Sequence, residues 1–184
     1  MPVPKEKLYT ADEFLSFAET NSDCMELING EIVYLASPST IHQRIVGSLY
    51  FAITSYIKSN KGKCEAMLSP FDVRLNDDTV VIPDISIICD NSKINDKRCN
   101  GSPDWIIEVA SSNRFDDFYR KLLIYRENGI REYWIVDPKN EKTLVYFFDE
   151  NDFPSIYTFE QPILVNIYKN NPVKLSINVA ELLK

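Results

Sequence analysis

Apolar and polar positions alternate with a period of two through CMELINGEIVYLAS, residues 24–37, on both sides of Asn29-Gly30. That pair tolerates the positive φ angles of a type I′ turn, so the pattern predicts a β-hairpin. Ahead of it, Thr10 and Glu13 have capping-box spacing, which predicts a short first helix over ADEFLSFAE. After it, Ser39 and Thr40 are cap residues, and Ile45, Leu49, Ile53 and Tyr56 recur at helical spacing. They predict a helix over about residues 41–59 with one buried stripe that packs on a sheet.

The middle of the chain reads as strands. CEAMLS and FDVRL are followed by a polar NDDT turn, the run VVIPDISIIC, a polar loop over 91–102, and WIIEVAS. Asn113 precedes Asp116 at capping-box spacing, and the helix FDDFYRKLLIYREN closes at Gly129, a residue suited to a left-handed C-cap. EYWIVDP is a further strand. TLVYFF, SIYTF and ILVNIY extend the strand pattern into the tail, and SINVAELL ends it with a short helix. The core order is α, β, β, β, α, β, which predicts an α/β fold of mixed α+β character: a central mixed sheet flanked by helices, preceded by a helix and a hairpin. At 184 residues the chain is expected to form a single domain, residues 1–184.

Two positions break the apolar pattern. Asp84 lies inside VVIPDISII, which reads as one buried strand, and Glu108 interrupts WIIEVASS. An ionised carboxylate loses several kcal/mol or more when buried without a partner, so each must be compensated. If the two strands are neighbours, the acids converge, and a shared divalent cation resolves both anomalies. Oxygen ligation with few protein ligands suits Mg²⁺ or Mn²⁺. Asp104, about 13 Å along the strand from Glu108 at about 3.3 Å per residue, is too far to share that ion, and it reads as a strand-entry turn residue; Asp90 is excluded on the same ground.

Lys121 sits between Asp117 at i−4 and Tyr125 at i+4, and its two readings are a surface ion pair and a cation serving a phosphate. His42 opens the second helix, where an ordinary capping-region residue and a catalytic base are both open readings. Glu26 is either a solvent-facing strand residue or a third acid of the site, and Glu31 is expected to be solvated. Tyr133 and Trp134 read as core packing.

Composition bounds the partners. A formal net charge of −7 and a pI near 4.8 weigh against a dedicated nucleic-acid binder. Basic residues nonetheless gather at Arg114, Arg120, Lys121, Arg126 and Arg131, against Asp116, Asp117 and Glu127. No apolar stretch is long enough to cross a bilayer, and the N-terminus lacks an apolar leader region, so a cytoplasmic protein without a membrane partner is expected. Cys24, Cys64, Cys89 and Cys99 are widely spread and His42 is the lone histidine, so a structural zinc site is disfavoured and the thiols are expected to be reduced.

The stretches MELINGEIVYLASPSTIHQ, VVIPDISII, PDWIIEVASSN, the K-x-x-x-Y of Lys121 and Tyr125, NGIREYWIVDP and the ending LSINVAELL together resemble the Uma-type family of bacterial restriction endonucleases, within the PD-(D/E)XK nuclease superfamily. The resemblance implies a restriction-endonuclease-like core, Asp84 and Glu108 as metal-binding catalytic acids, and Mg²⁺ as the ion, with Mn²⁺ as the substitute. The superfamily places its lysine two residues after the second acid, where this chain has Ala110; the resemblance moves that role to Lys121 and adds Glu26 and His42 as further site members. The function implied is a metal-dependent endonuclease hydrolysing DNA, acting as a homodimer if both strands are cut. The alternative is a nuclease-fold protein that has lost cleavage and serves as a nucleic-acid-binding or regulatory module. A glycosidase built on two carboxylates requires a sugar cleft rich in exposed aromatics and ranks well behind.

Overall fold

The computed structural model describes residues 7–110, 115–151 and 153–184. The first helix, α1, spans Ala11–Ala18 and carries the full capping box: Thr10 accepts from the Glu13 N–H, and the Glu13 side chain accepts from the Thr10 N–H. Strands β1 (Met25–Ile28) and β2 (Glu31–Tyr34) form the hairpin, with Asn29 at φ 50° and Gly30 at φ 82° in its turn. Helix α2, Thr40–Ser59, starts at the Ser39 cap. Next come β3 (Glu65–Leu68), β4 (Asp72–Arg74), β5 (Val80–Val81), β6 (Ile85–Ile88), β7 (Arg98–Asn100) and β8 (Trp105–Val109). Helix α3, Phe115–Glu127, leads past Gly129 at φ 76° into β9 (Glu132–Asp137) and β10 (Lys142–Phe147). The chain closes with β11 (Ser155–Thr158), β12 (Ile163–Leu164), β13 (Ser176–Ile177) and α4 (Val179–Leu182). The capping pair expected at Asn113 and Asp116, and Arg114, lie outside the described residues.

The strands divide into sheets. A five-stranded sheet has the order β2-β1-β5-β4-β7, and a six-stranded one the order β11-β10-β9-β8-β6-β3; β12 and β13 pair by themselves. The larger sheet is mixed, because β8 and β9 run parallel while its other neighbours are antiparallel. On one of its faces Ile85, Ile87, Trp105, Ile107 and Trp134 meet Ile45, Leu49 and Ile53 of α2, the predicted stripe, together with the C-terminal segment. On the other face Ile106, Tyr133 and Ile135 meet Ile124 and Tyr125 of α3 and Ile28, Val73 and Val81 of the smaller sheet. Helix α1 covers the far side of the smaller sheet with Ala11, Phe14 and Leu15.

Two expectations need correction. VVIPDISII is two strands: β5 belongs to the smaller sheet and β6 to the larger. Pro83 offers no N–H to a ladder, so pairing stops and the chain crosses between sheets there. The thiols are also not all reduced, since Cys64 and Cys89 form a disulfide, leaving Cys24 exposed and Cys99 buried as free cysteines. The register explains the pairing: Glu65 lies opposite Ile88, and one step outward brings Cys64 opposite Cys89. Among the described residues no helix is long and apolar enough to cross a membrane.

Glu132 ties the tail to the core. Fully buried at the start of β9, it accepts from Trp134 Nε1 at 2.8 Å, from Ile167 N at 2.8 Å and from Asn166 N at 3.1 Å. Burial still holds its carboxyl above the ordinary glutamate range. Removing the acceptor strands several buried donors at about 1–3 kcal/mol each. Glu132→Ala is therefore expected to cost at least about 3 kcal/mol in urea unfolding and to open the segment after Val165 to trypsin.

Candidate active site

Sheet register sets the site. In β6 and β8, Ile85 pairs with Ile107 and Ser86 with Ile106, antiparallel. Continuing by one step places Asp84 opposite Glu108, on the face that α3 covers. Asp84 therefore stands at the mouth of the larger sheet, where β6 begins, rather than inside a continuous strand.

Each expected residue has a definite place. Asp84 Oδ2 accepts from the Val109 N–H at 2.8 Å and lies 3.0 Å from His42 Nε2. A carboxylate oxygen at that distance makes Nε2 the protonated nitrogen. His42 is reached because the Ser39 cap starts α2 three residues earlier and aims its first turn at the sheet edge. Glu108 is 6% exposed, and its Oε1 accepts from Lys121 Nζ at 3.0 Å and from the Tyr125 hydroxyl at 2.8 Å. Glu26 is fully buried; its Oε1 accepts from the Ile82 N–H at 2.8 Å and from Lys121 Nζ at 2.9 Å. Its Oε2 has no partner among the described residues.

Lys121 is thus no surface lysine. At 3% exposure it lies between two acids, Glu26 from the smaller sheet and Glu108 from the larger. This corrects the sequence argument at one point: the buried charges already have protein partners, so desolvation alone does not call for a divalent ion. What remains open is narrower. No described residue donates to Asp84 Oδ1 or to Glu108 Oε2, and both side chains keep some exposure, 15% and 8%. Glu31 is exposed and sits 3.7 Å from Arg120. Tyr133 and Trp134 are core residues, as expected.

Asp104 and Asp90 do other work. Asp104 accepts from the Cys89 N–H and from Arg131, which fixes the entry to β8. Asp90 caps a short 3-10 turn, Asn91–Lys93, through Ser92. Much of the expected basic cluster is engaged by acids: Arg120 with Glu31, and Arg131 with Asp149 and Asp104.

Tyr125, whose hydroxyl donates to Glu108, is the neighbour of these acids that sequence reasoning left without a role. It lies four residues beyond Lys121 on α3, hence on the same face, and that spacing was the available signal. Its hydroxyl is pushed well above its ordinary pKa, first by burial and then by Glu108 and Glu26.

Burial pushes the Glu108 carboxyl up to about 7; Lys121 pulls it down, and Asp84 and Glu26 push it further up. With three acids around one lysine and one histidine, the site favours added positive charge.

The fold defines the class. The crystal structure of a putative nuclease belonging to DUF820 from Anabaena variabilis superposes on this chain with a TM-score of 0.77, covering 95% of this chain and 97% of that one at 21% identity. The two chains therefore share one fold. Within it, the model of Uma2, described as a putative restriction endonuclease, matches residues 11–179, and the chain belongs to that family. An uncharacterized protein of Synechocystis sp. is 27% identical over 144 residues, 74% of this chain and 79% of that protein.

Two outcomes follow for the metal-free protein. Lys121→Met leaves Glu26 and Glu108 buried without their cation and is expected to cost about 3–5 kcal/mol in chemical denaturation. Folded Glu108 keeps its proton up to about pH 7, whereas the unfolded side chain releases it near 4.5. The folded state binds the extra proton between those values, so its stability falls as pH rises through that window. Urea midpoints measured across it are expected to decline in wild type and to flatten in Glu108→Gln.

Proposed function

We propose that this protein is a metal-dependent endonuclease that hydrolyses phosphodiester bonds of DNA, with Asp84 and Glu108 holding Mg²⁺ or Mn²⁺. The observation that carries this reading is a pair of oxygens, Asp84 Oδ1 and Glu108 Oε2, that no described residue engages, one register step beyond the Ile85–Ile107 pair of neighbouring strands. The donor set fits such an ion: it is all oxygen, it bears excess negative charge, and it leaves most positions to water. Bound there, a divalent ion supplies Lewis-acid polarisation of the phosphate and activation of the attacking water.

The chain's own groups have separable tasks in this reading. His42 and the Val109 N–H orient Asp84, and Tyr125 and Lys121 orient Glu108. Glu26 and the Ile82 N–H fix the position of the Lys121 ammonium. That cation, beside both carboxylates and scarcely screened by water, would stabilise charge building on the oxygens of a phosphate bound there. A double-strand cut by one site per chain takes two chains, so a homodimer on DNA in the cytoplasm completes the proposal. The Cys64–Cys89 bond pulls against the cytoplasm, where disulfides are rare.

A second reading, a nuclease-fold module that binds without cutting, draws support from the acidic net charge and from Arg120 and Arg131 being engaged by acids. Nicking of supercoiled plasmid separates the two. Wild type with Mg²⁺ or Mn²⁺ is expected to nick, and Asp84→Asn and Glu108→Gln to lose at least about a hundredfold, close to 3 kcal/mol of barrier. Nicking that persists in excess chelator or in both variants sinks the catalytic reading, and DNA binding without nicking favours the module.

A further inference from the structure

We propose that Tyr125 sets the metal preference of the site, by holding Glu108 so that it offers one oxygen only. The inference rests on the metal-dependent reading above and goes beyond it, from which residues hold the ion to which residue selects it.

The geometry is specific. Glu108 Oε1 carries two donors, the Tyr125 hydroxyl at 2.8 Å and Lys121 Nζ at 3.0 Å. Turning the carboxylate to present both oxygens outward breaks both bonds inside a buried site, where an abandoned donor costs about 1–3 kcal/mol. The tyrosine itself is fixed: its ring is fully buried and meets Tyr133 edge-on, centroids 4.9 Å apart at 80°. Asp84 is restrained in the same manner, since Oδ2 carries the Val109 N–H and His42. Both acids are thereby limited to single-oxygen ligation. Mg²⁺ and Mn²⁺ accept this readily, being small, six-coordinate and content with water in the remaining positions. Ca²⁺ is larger, takes six to eight oxygens and draws on bidentate carboxylates, which this arrangement denies it.

Lys121 alone is a divided restraint, because its ammonium is shared between Glu26 and Glu108, whereas the Tyr125 hydroxyl has a single proton and gives it to Glu108. Tyr125→Phe keeps the ring and its contact with Tyr133 and removes only the hydroxyl. It frees Glu108 to rotate toward two-oxygen ligation.

The test is calorimetric titration of the folded protein with Mn²⁺ and with Ca²⁺, the readout being the ratio of the two affinities, which global destabilisation does not move. Wild type is expected to prefer Mn²⁺, and Tyr125→Phe to narrow that preference about tenfold, the usual effect of losing a group that orients a ligand. Tyr146→Phe, in the same aromatic stack at 6.1 Å from Tyr133, is expected to leave the ratio unchanged. Manganese binding that Glu108→Gln abolishes but whose ratio Tyr125→Phe leaves intact overturns this inference alone. Wild type that binds no Mn²⁺, or binds it unaffected by Glu108→Gln, overturns the metal-dependent reading and this one together. Wild type that takes Ca²⁺ as tightly as Mn²⁺ overturns the assignment of preference without recourse to any variant.

Discussion

One ammonium group joins three elements of the fold. Lys121 reaches from α3 to Glu26 in the smaller sheet and to Glu108 in the larger, all three nearly or fully out of water. Taking each of these charges from water costs several kcal/mol, and only close pairing with further hydrogen bonds offsets it. The offsets are present, from the Ile82 N–H on Glu26 and the Tyr125 hydroxyl on Glu108. An apolar triad of similar volume would serve stability as well or better. Three charges kept where two sheets and a helix meet are what the proposed function draws on, and they tie β1, β8 and α3 to one another.

How far the sequence disclosed this differs from residue to residue. The starts of α1 and α2, the Asn29-Gly30 turn and the α2 stripe followed from local rules, because caps, positive φ and helical periodicity are written in neighbouring residues, whereas SINVAELL, read as one helix, divides into β13 and α4. Glu108 was conspicuous because a carboxylate inside WIIEV has no local explanation. Glu26 remained ambiguous, since its partner Lys121 lies 95 residues away and no local pattern signals the meeting. The Cys64–Cys89 bond was hidden for the same reason: it follows from the register between β3 and β6, which only tertiary structure fixes. Family resemblance, not residue physics, raised Lys121 above a surface ion pair, and the structure buries it between Glu26 and Glu108.

The acidic balance of the chain looked like an objection to a nucleic-acid substrate, and its distribution changes the weight of that objection. Part of the excess acid is internal, in Glu26, Glu108 and Glu132, where it is spent on Lys121, Tyr125 and backbone donors. Those carboxylates are buried and not displayed at the surface. Arg120 and Arg131 are in turn held by Glu31, Asp149 and Asp104, so the surface offers fewer uncommitted cations than the sequence suggests. Attraction of a polyanion at a distance is therefore weak, and under the proposed function recognition of phosphate falls to short-range chemistry around Asp84 and Glu108.

The corner at Pro83 explains why the site lies where it does. A strand running unbroken from Val80 to Ile88 would carry Asp84 in the middle of one sheet, away from Glu26. Because Pro83 ends the ladder of β5, the segment from Ile82 to Asp84 crosses from the smaller sheet to the larger. On its near side the Ile82 N–H, left without a strand partner, is taken by Glu26; on its far side Asp84 is delivered opposite Glu108 and taken by His42 and Val109. Three residues thus fix both the acid that holds the lysine and the acid that faces solvent. The proline before the aspartate offers no N–H to either ladder, so the crossing falls where neither sheet loses a hydrogen bond to it.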